Sequence, residues 1–233
     1  MTKKIAILQS NYIPWKGYFD QINMVDEFIL YEEVQYTKND WRNRNQVKGA
    51  NGKQWLTIPV KQNSLAQRIC DTKTAQTNWA KKHWKTLSIN YAKSKFFSDY
   101  KDNFEQLYLV NETEYLSEIN YRFILAICKV LGIKTKISQS SDYELGDGKT
   151  ERLINLCQQA GATEYLSGPA AKNYIDDDLF FNAGIKLTWM DYSGYTEYYQ
   201  LYPPFEHGVT VLDLIFNEGP NAVKYMKSFE GDQ

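Results

Sequence analysis

Histidine is the side chain best suited to moving protons near neutral pH, and the sequence contains two, His83 and His207. His207 precedes a predicted helix for which Thr210 can serve as N-cap. A histidine at such a position tends to stay neutral, which suits a general base. Asp213 can orient the imidazole or can serve a structural role, whereas His83 falls within a predicted helix and is interpreted as structural. We therefore predict His207 and Asp213 as the catalytic residues.

The segment 35–45 is dense in groups that bind anions and amides. It reads Gln-Tyr-Thr-Lys-Asn-Asp-Trp-Arg-Asn-Arg-Asn. On an extended chain the two arginines share one side, with the second and third asparagines on the other. Arginine binds carboxylate or phosphate in a bidentate manner, and amides recognise sugar or amide groups. A solvated hairpin arm is the alternative. The predicted substrate contacts in this segment are Gln35, Tyr36, Trp41, Arg42, Asn43 and Arg44.

Two loops that follow predicted strands are further candidates. Segment 9–14 joins the first strand to the first helix, and segment 165–174 contains a Ser-Gly turn. Ligands of α/β sheets bind at such loops, and N–H groups at a helix start can hold an anion. The alternatives are core aromatic residues in the first loop and a plain strand-to-helix connection in the second. The predicted substrate contacts here are Gln9, Asn11, Tyr12, Ser167, Gly168 and Lys172.

Common catalytic and nucleotide-binding motifs are absent from the sequence. It has no GxGxxG, Walker A, GxSxG or HExxH pattern. Its three cysteines, Cys70, Cys128 and Cys157, are too scattered for a disulfide framework or a CxxC metal site. With two distant histidines as well, we predict no metal ion, and the leading hypothesis requires no cofactor.

The elements that must position these residues alternate between strands and helices. Predicted strands lie at 4–8, 27–31, 133–137, 165–168 and 185–190, with a hairpin of 43–48 and 54–60 around Asn51-Gly52. Helical patterns lie at 15–25, 77–108, 113–131, 149–160, 177–182, 209–216 and 220–227. This order predicts an α/β fold with a Rossmann-like, mostly parallel sheet, a β-hairpin excursion and a helical insert at about 76–131. One domain spanning 1–233 is the simplest organisation.

Composition and charge exclude several classes of protein. The 233 residues carry 27 Lys plus Arg against 28 Asp plus Glu, without the basic excess of a nucleic-acid-binding protein. The apolar run 5–8 is too short for a signal peptide, and no stretch approaches the ~18 apolar residues of a membrane span. We expect a cytoplasmic protein with no nucleic-acid partner and no membrane insertion.

Short sequence blocks spread over nearly the whole chain carry a family resemblance. They are residues 12–20 (YIPWKGYFD), 34–45 (VQYTKNDWRNRN), 55–59 (WLTIP), 91–97 (YAKSKFF), 166–169 (LSGP) and 212–217 (LDLIFN). In this order they resemble the WbqC-like protein family, although Asn11 and Thr210 stand where Pro and Ser are expected. The family is associated with bacterial surface-polysaccharide clusters, and a glycine transferase role has been proposed for one member. The resemblance thus implies an aminoacyl-type transferase that acts on an amino sugar.

The leading hypothesis is therefore an enzyme of surface-polysaccharide (O-antigen type) biosynthesis that transfers a glycyl or related acyl group to an amino sugar. Its partners would be an amino sugar or nucleotide sugar, with an acyl carrier as one candidate donor. A rival hypothesis is a nucleotidyl- or adenylate-forming enzyme of the HUP type, which would use ATP and Mg²⁺; residues 15–18 (WKGY) replace the HxGH motif of such enzymes. Non-catalytic binding of a nucleotide sugar or glycan is a third hypothesis, and a purely structural role is a fourth.

Overall fold

The computed structural model describes residues 2–110 and 112–229. A five-stranded sheet lies at its centre, and all of its strand pairings are parallel. The strands in chain order are β1 (Lys4–Leu8), β2 (Glu27–Leu30), β3 (Arg44–Gly49), β4 (Gly52–Thr57), β5 (Val60–Lys61), β6 (Lys73–Thr74), β7 (Lys136–Gln139), β8 (Glu164–Ser167) and β9 (Lys186–Trp189). The central sheet contains β1, β2, β7, β8 and β9, which confirms the predicted α/β class with a parallel sheet.

The order of strands in the sheet is β7-β2-β1-β8-β9. The chain first builds outward from β1 to β2 and β7, and then crosses to the other side of β1 for β8 and β9. The direction of winding therefore changes between β1 and β8. In open α/β sheets a crevice opens at such a switch point, outside the carboxyl ends of the strands. Leu8 and Ser167 mark those ends on the two strands.

Helices cover both faces of the sheet, because parallel strands such as the fully buried β2 need apolar cover on each side. They are α1 (Lys16–Asn23), α2 (Trp79–Tyr91), α3 (Phe97–Leu109), α4 (Leu116–Leu131), α5 (Thr150–Gln159), α6 (Asp177–Asn182) and α7 (Val211–Glu218). The longest, α4, buries Ile119, Phe123 and Ile127 at helical spacing. It ends at Gly132, whose φ of 74° is the left-handed conformation typical of a glycine that ends a helix.

Some predicted boundaries differ from the structure. The helical pattern at 77–108 is divided between α2 and α3, because a turn in which the Ser94 N–H bonds the Tyr91 carbonyl oxygen at 2.8 Å interrupts it. The strand predicted at 133–137 lies at β7, three residues later at its start. The last helical pattern, 220–227, is a 3₁₀ segment at Gly219–Tyr225.

The predicted hairpin is formed by β3 and β4, whose turn places Gly52 at a φ of 96°. It is a sheet of its own, separate from the central one. Val47 and Leu56 anchor it to the main apolar core. Most of β4 is otherwise exposed, so the hairpin presents one strand to solvent. In the described residues, no helix combines the length and apolar character needed to cross a membrane.

Candidate functional site

A cleft opens at the switch point of the central sheet, at the carboxyl ends of β1, β2 and β8. We call it the strand-end cleft; it holds about 530 Å³. Its floor contains Leu8, Tyr31 and Ser167, and the start of α5 forms one wall. The predicted contacts Gln9, Arg42, Ser167 and Gly168 line this cleft, although they are distant in sequence. The sheet topology brings them together.

The strand-end cleft is positively charged. Arg42, Lys149 and Arg152 line it, and none of its described lining residues is acidic, although the carboxylates of Asp40 and Asp147 lie 3.7 and 3.9 Å from the two guanidinium groups. The Nε of Arg152 donates to the Gly146 carbonyl oxygen at 2.6 Å, which fixes the base of that side chain near the start of α5. Guanidinium and ammonium groups in a concave site favour phosphate or carboxylate ligands. The cleft therefore has the electrostatics of an anion-binding site.

Arg42 connects this cleft to a second pocket. Its Nη1 donates to the Oδ1 of Asn11 at 2.6 Å, and its Nη2 donates to the Oε1 of Gln9 at 3.2 Å. Asp40 lies 3.7 Å from the same guanidinium group. Gln9 belongs to the strand-end cleft, whereas Asn11 lines the neighbouring pocket. The Arg42 side chain thus joins segment 35–45 to the loop at 9–14, both of which were predicted to contact substrate.

The second cavity, which we call the His207 pocket, holds about 330 Å³. It is lined by two indole rings, two amides and the imidazole, together with two small residues. These residues are Asn11, Pro14, Trp15, Trp41, Asn45, His207 and Gly208. Aromatic faces beside amide groups and a titratable base suit a polar organic ligand such as a sugar.

The loop that separates the two cavities is held rigidly. The Ser10 N–H donates to Oε1 of the buried Glu32 at 2.7 Å, and burial raises the pKa of that carboxyl to about 7. Ile13 is buried at a φ of 38°, a conformation that costs a β-branched residue free energy. The Asn45 amide holds it by donating to the carbonyl oxygens of Tyr12 and Ile13 at 3.1 and 2.9 Å. Strain held in this manner is common at functional sites.

The electrostatic surroundings of His207 favour the neutral imidazole. Burial lowers its pKa first, and the nearby Lys16 ammonium lowers it further, while Glu197 and Glu206 oppose this. Lys16 is itself buried, and desolvation lowers its pKa to about 8. No described side chain hydrogen-bonds the His207 ring. A neutral ring with free nitrogens can accept a proton from a ligand at neutral pH.

Asp213 does not orient His207 directly, which corrects the predicted pairing. It is buried on α7, where its carboxylate accepts hydrogen bonds from Tyr91, Tyr198 and Gln200 at 2.9, 2.7 and 2.9 Å. Both carboxylate oxygens of Asp213 are thus bonded to these three side chains in the protein interior, and neither bonds His207. Thr210, however, is the N-cap of this helix as predicted, and accepts from the Leu212 N–H at 3.3 Å.

Gln200 gives Asp213 an indirect link to the His207 segment. The Gln200 Nε2 donates to the Glu206 carbonyl oxygen at 3.0 Å, and the Glu206 N–H donates to the Gln200 Oε1 at 2.8 Å. Lys48 also donates to the carbonyl oxygen of Pro204. The backbone just before His207 is therefore fixed by a buried network whose centre is Asp213.

Several predicted contacts lie away from both cavities. The Tyr12 hydroxyl is buried between the Nδ1 of His83 at 2.9 Å and the Tyr108 hydroxyl at 2.7 Å. Tyr36 is buried as well. Asn43 donates to the Ile58 carbonyl oxygen at 2.8 Å. The lining of the strand-end cleft and of the His207 pocket does not include any of these three side chains.

Three further predicted contacts are on the surface or on another face. Gln35 is exposed and donates to the Leu65 carbonyl oxygen, and Lys172 is exposed with its ammonium 5.4 Å from the Trp189 ring centroid. Arg42 and Arg44 were expected to face the same side of an extended segment, but residues 40–43 form a turn and β3 begins only at Arg44. Arg44 consequently stacks on Trp55 at 4.1 Å instead of joining Arg42.

Sequence reasoning did not identify Lys149, Arg152, Trp15, Asn45 or Lys16 as site residues. A signal for the first two was present, since Gly148-Lys149 precedes a predicted helix in the manner of a strand-end loop. Their position beside β1 depends on strand order, which one sequence does not encode locally. In the described residues, no three His, Cys, Asp or Glu side chains cluster as metal ligands would.

Comparison with models of known protein families identifies the family of this chain. The model of the WbqC-like protein family matches residues 9–225. This range contains the His207 pocket, every strand of the central sheet except β1, and all lining residues of the strand-end cleft except Ile7 and Leu8. The chain belongs to the WbqC-like protein family.

A curated relative of this WbqC-like protein is the uncharacterized protein Rv1507c of Mycobacterium tuberculosis. It is 51% identical over 226 residues, which cover 97% of this chain and 98% of the relative. No solved structure shows significant similarity to the chain.

Proposed function

We propose that this WbqC-like protein is a two-substrate transferase that moves a glycyl or related acyl group to the amine of an amino sugar. The observation that carries the proposal is the pair of adjoining cavities of different chemistry, which the Arg42 guanidinium joins by bonding Gln9 on one side and Asn11 on the other. A transferase needs two neighbouring binding sites, since its reacting groups must meet.

The cationic strand-end cleft is the proposed donor site. Arg42, Lys149 and Arg152 would neutralise the phosphate groups of an acyl carrier or of another activated donor. The family's association with surface-polysaccharide clusters supports an acyl transfer onto a glycan. The His207 pocket is the proposed acceptor site, where the Asn11 amide can bond a hydroxyl group and the indole rings can cover the apolar face of a sugar.

The proposed step is attack of the sugar amine on the activated acyl carbon. The amine nitrogen forms a bond to that carbon, the bond from the carbon to the carrier breaks, and the carrier leaves with the electron pair. His207 takes the proton that the amine loses and returns it to the departing carrier atom. General-base help of this kind contributes roughly 10²- to 10⁴-fold to a rate.

A binding and product assay with defined probes tests the proposal. Coenzyme A at about 100 times its Kd should raise the Tm by about 5–10 °C in a chain of this size. Glycyl-coenzyme A with glucosamine should give an N-glycylated sugar, detected by mass spectrometry. The transferase proposal is overturned if coenzyme A gives no thermal shift and no glycylated product forms.

A matched pair of lysine variants tests the donor site. Lys149→Ala removes a cleft cation, so the Kd for coenzyme A should rise by about five- to tenfold at low salt. Lys172→Ala removes an exposed lysine outside the cleft and should leave that Kd unchanged. Equal effects of the two variants would show that the anion binds elsewhere.

ATP-dependent adenylyl transfer is the second candidate, because a cationic cleft at a sheet switch point also suits a nucleotide. It predicts release of pyrophosphate from ATP and Mg²⁺ in the presence of glycine. A thermal shift with ATP and Mg²⁺ but not with coenzyme A would favour this candidate over acyl-carrier transfer.

A further inference from the structure

Two exposed tryptophans stand together at the base of the β3–β4 hairpin. Trp41 is 45% exposed and Trp55 is 41% exposed, although large aromatic side chains are usually buried. Their ring centroids are 5.5 Å apart and their planes are tilted by 39°. The Arg44 guanidinium lies 4.1 Å from the Trp55 centroid. We call Trp41, Trp55 and Arg44 the tryptophan platform.

Polar groups border the platform on the same face of the hairpin. Arg44 pairs with Thr57 and Gln46 pairs with Trp55 across the antiparallel ladder, so these four side chains share one face. Five of the six residues of β4 are exposed, and only Leu56 points into the core. The indole surfaces are therefore flanked by a guanidinium, an amide and a hydroxyl group, which is a pattern that suits an amphipathic ligand.

The platform continues the His207 pocket outward. Trp41 lines that pocket and also contacts Trp55. An ion pair of 3.0 Å between Lys53 and Glu206 joins β4 to the residue before His207. Trp41 therefore belongs both to the His207 pocket and to the tryptophan platform, which makes the two adjacent.

We propose that the tryptophan platform binds the second sugar ring of an oligosaccharide whose terminal amino sugar occupies the His207 pocket. This inference rests on the proposed function and specifies its acceptor as a glycan chain. A pyranose ring presents apolar C–H groups on its faces and hydroxyl groups at its edge, which matches indoles bordered by polar side chains. Two rings tilted by 39° suit puckered sugar units better than one planar base, which cannot lie flat on both.

Binding of a length series tests the platform. The probes are glucosamine and its β-1,4-linked disaccharide and trisaccharide, titrated by calorimetry. The wild-type Kd should fall by about tenfold from the monosaccharide to the disaccharide. Trp55→Ala should remove this gain while preserving the monosaccharide Kd, and Trp55→Phe should restore part of it. Phe181→Ala, which removes an 82% exposed aromatic side chain on α6, should change neither value.

The outcomes of this titration separate the inference from the proposed function. A wild-type Kd that is independent of length, or an unchanged length dependence in Trp55→Ala, would overturn the platform. If adenosine or uridine binds more tightly than the disaccharide, and this binding depends on Trp55, the ligand of the platform is a nucleobase and not a sugar. Length-dependent binding that requires Trp55 without any acyl transfer would retain the platform and reject the transferase. Circular dichroism of Trp55→Ala is the control for folding of the variant.

Discussion

The two histidines occupy opposite environments. His83 is buried, and both of its ring nitrogens are engaged, with the Tyr12 hydroxyl at 2.9 Å and the Thr57 carbonyl oxygen at 3.2 Å. His207 is exposed at the rim of a cavity, and no described side chain bonds its ring. Deep burial lowers the pKa of His83 to about 4, whereas the pKa of His207 is lowered by partial desolvation and by the nearby Lys16 charge. The same residue type is therefore bonded within the core at one position and faces a cavity at the other.

Replacement of His207 should produce the largest effect on turnover. In the proposed reaction His207→Gln removes the base, so kcat should fall by about 10²- to 10⁴-fold. The ring makes no side-chain hydrogen bond to the described residues, and the free energy of unfolding should change by no more than about 0.5 kcal/mol. Steady-state kinetics and thermal denaturation on the same preparation measure both quantities. Full activity of His207→Gln would reject the general-base assignment.

Replacement of His83 should produce the reverse result. His83→Gln removes the imidazole that bonds the buried Tyr12 hydroxyl and the Thr57 carbonyl oxygen, so that hydroxyl keeps only its bond to Tyr108, and the surrounding aromatic cluster is disturbed. We expect a loss of about 2–3 kcal/mol in the free energy of unfolding, or about 5–10 °C in Tm. At temperatures where the variant is folded, kcat should be close to the wild-type value. A stable but inactive His83→Gln protein would instead assign His83 a role in catalysis and not in stability.

The pH dependence of stability distinguishes the histidines further. With a folded pKa of about 4 against 6.5 when unfolded, His83 binds its proton more readily in the unfolded state. Its contribution of about 3 kcal/mol is therefore present above pH 6.5 and is lost as pH falls towards 4. Glu32, with its folded pKa raised to about 7, contributes in the opposite direction, since its stabilising effect is lost as pH rises. The difference between wild type and His83→Gln isolates the histidine, and the exposed Gln54→Leu, which changes no titratable group, serves as the control.

The network that fixes the His207 segment predicts a smaller, purely kinetic effect. Gln200→Leu keeps the side-chain volume but removes the hydrogen bonds to Asp213 and to the Glu206 backbone. Because Gln200 positions His207 and does not touch the substrate, we expect kcat to fall by about tenfold with little change in KM. The exposed Gln54→Leu is the control. A loss confined to stability, with kcat unchanged at 25 °C, would assign Gln200 a structural role alone.

Local patterns are sufficient to predict the elements and insufficient to predict the site. The runs at β1 and β2, the Asn51-Gly52 turn and the Gly132 cap are predictable because each depends on neighbouring residues. The meeting of Gln9 with Arg42 and the role of Lys149 do not follow from the sequence, because both depend on how distant segments fold together. The predicted pairing of Arg44 with Arg42 is wrong since a turn before β3 interrupts strict alternation.

The smallest expected effect concerns how the pKa of His207 is set. Lys16 is buried beneath the rings of Tyr195 and Tyr198, and its ammonium donates to the Thr196 carbonyl oxygen at 3.0 Å. Its positive charge lowers the pKa of His207, so the uncharged Lys16→Met should raise that pKa. The base must be neutral to act, and the acid limb of the pH–rate profile should therefore move to higher pH while the plateau rate is retained.

The same substitution offers an internal control, because the pKa of His83 is lowered by burial and raised only by its Thr57 contact, with no contribution from Lys16. NMR titration of the two imidazoles in Lys16→Met should show His207 titrating at higher pH than in the wild type, and His83 unchanged. If the pKa of His207 is the same in Lys16→Met as in the wild type, desolvation alone sets that pKa. In that case the two histidines would differ only in what surrounds their ring nitrogens, and access to a ligand would be sufficient to separate a structural histidine from a catalytic one.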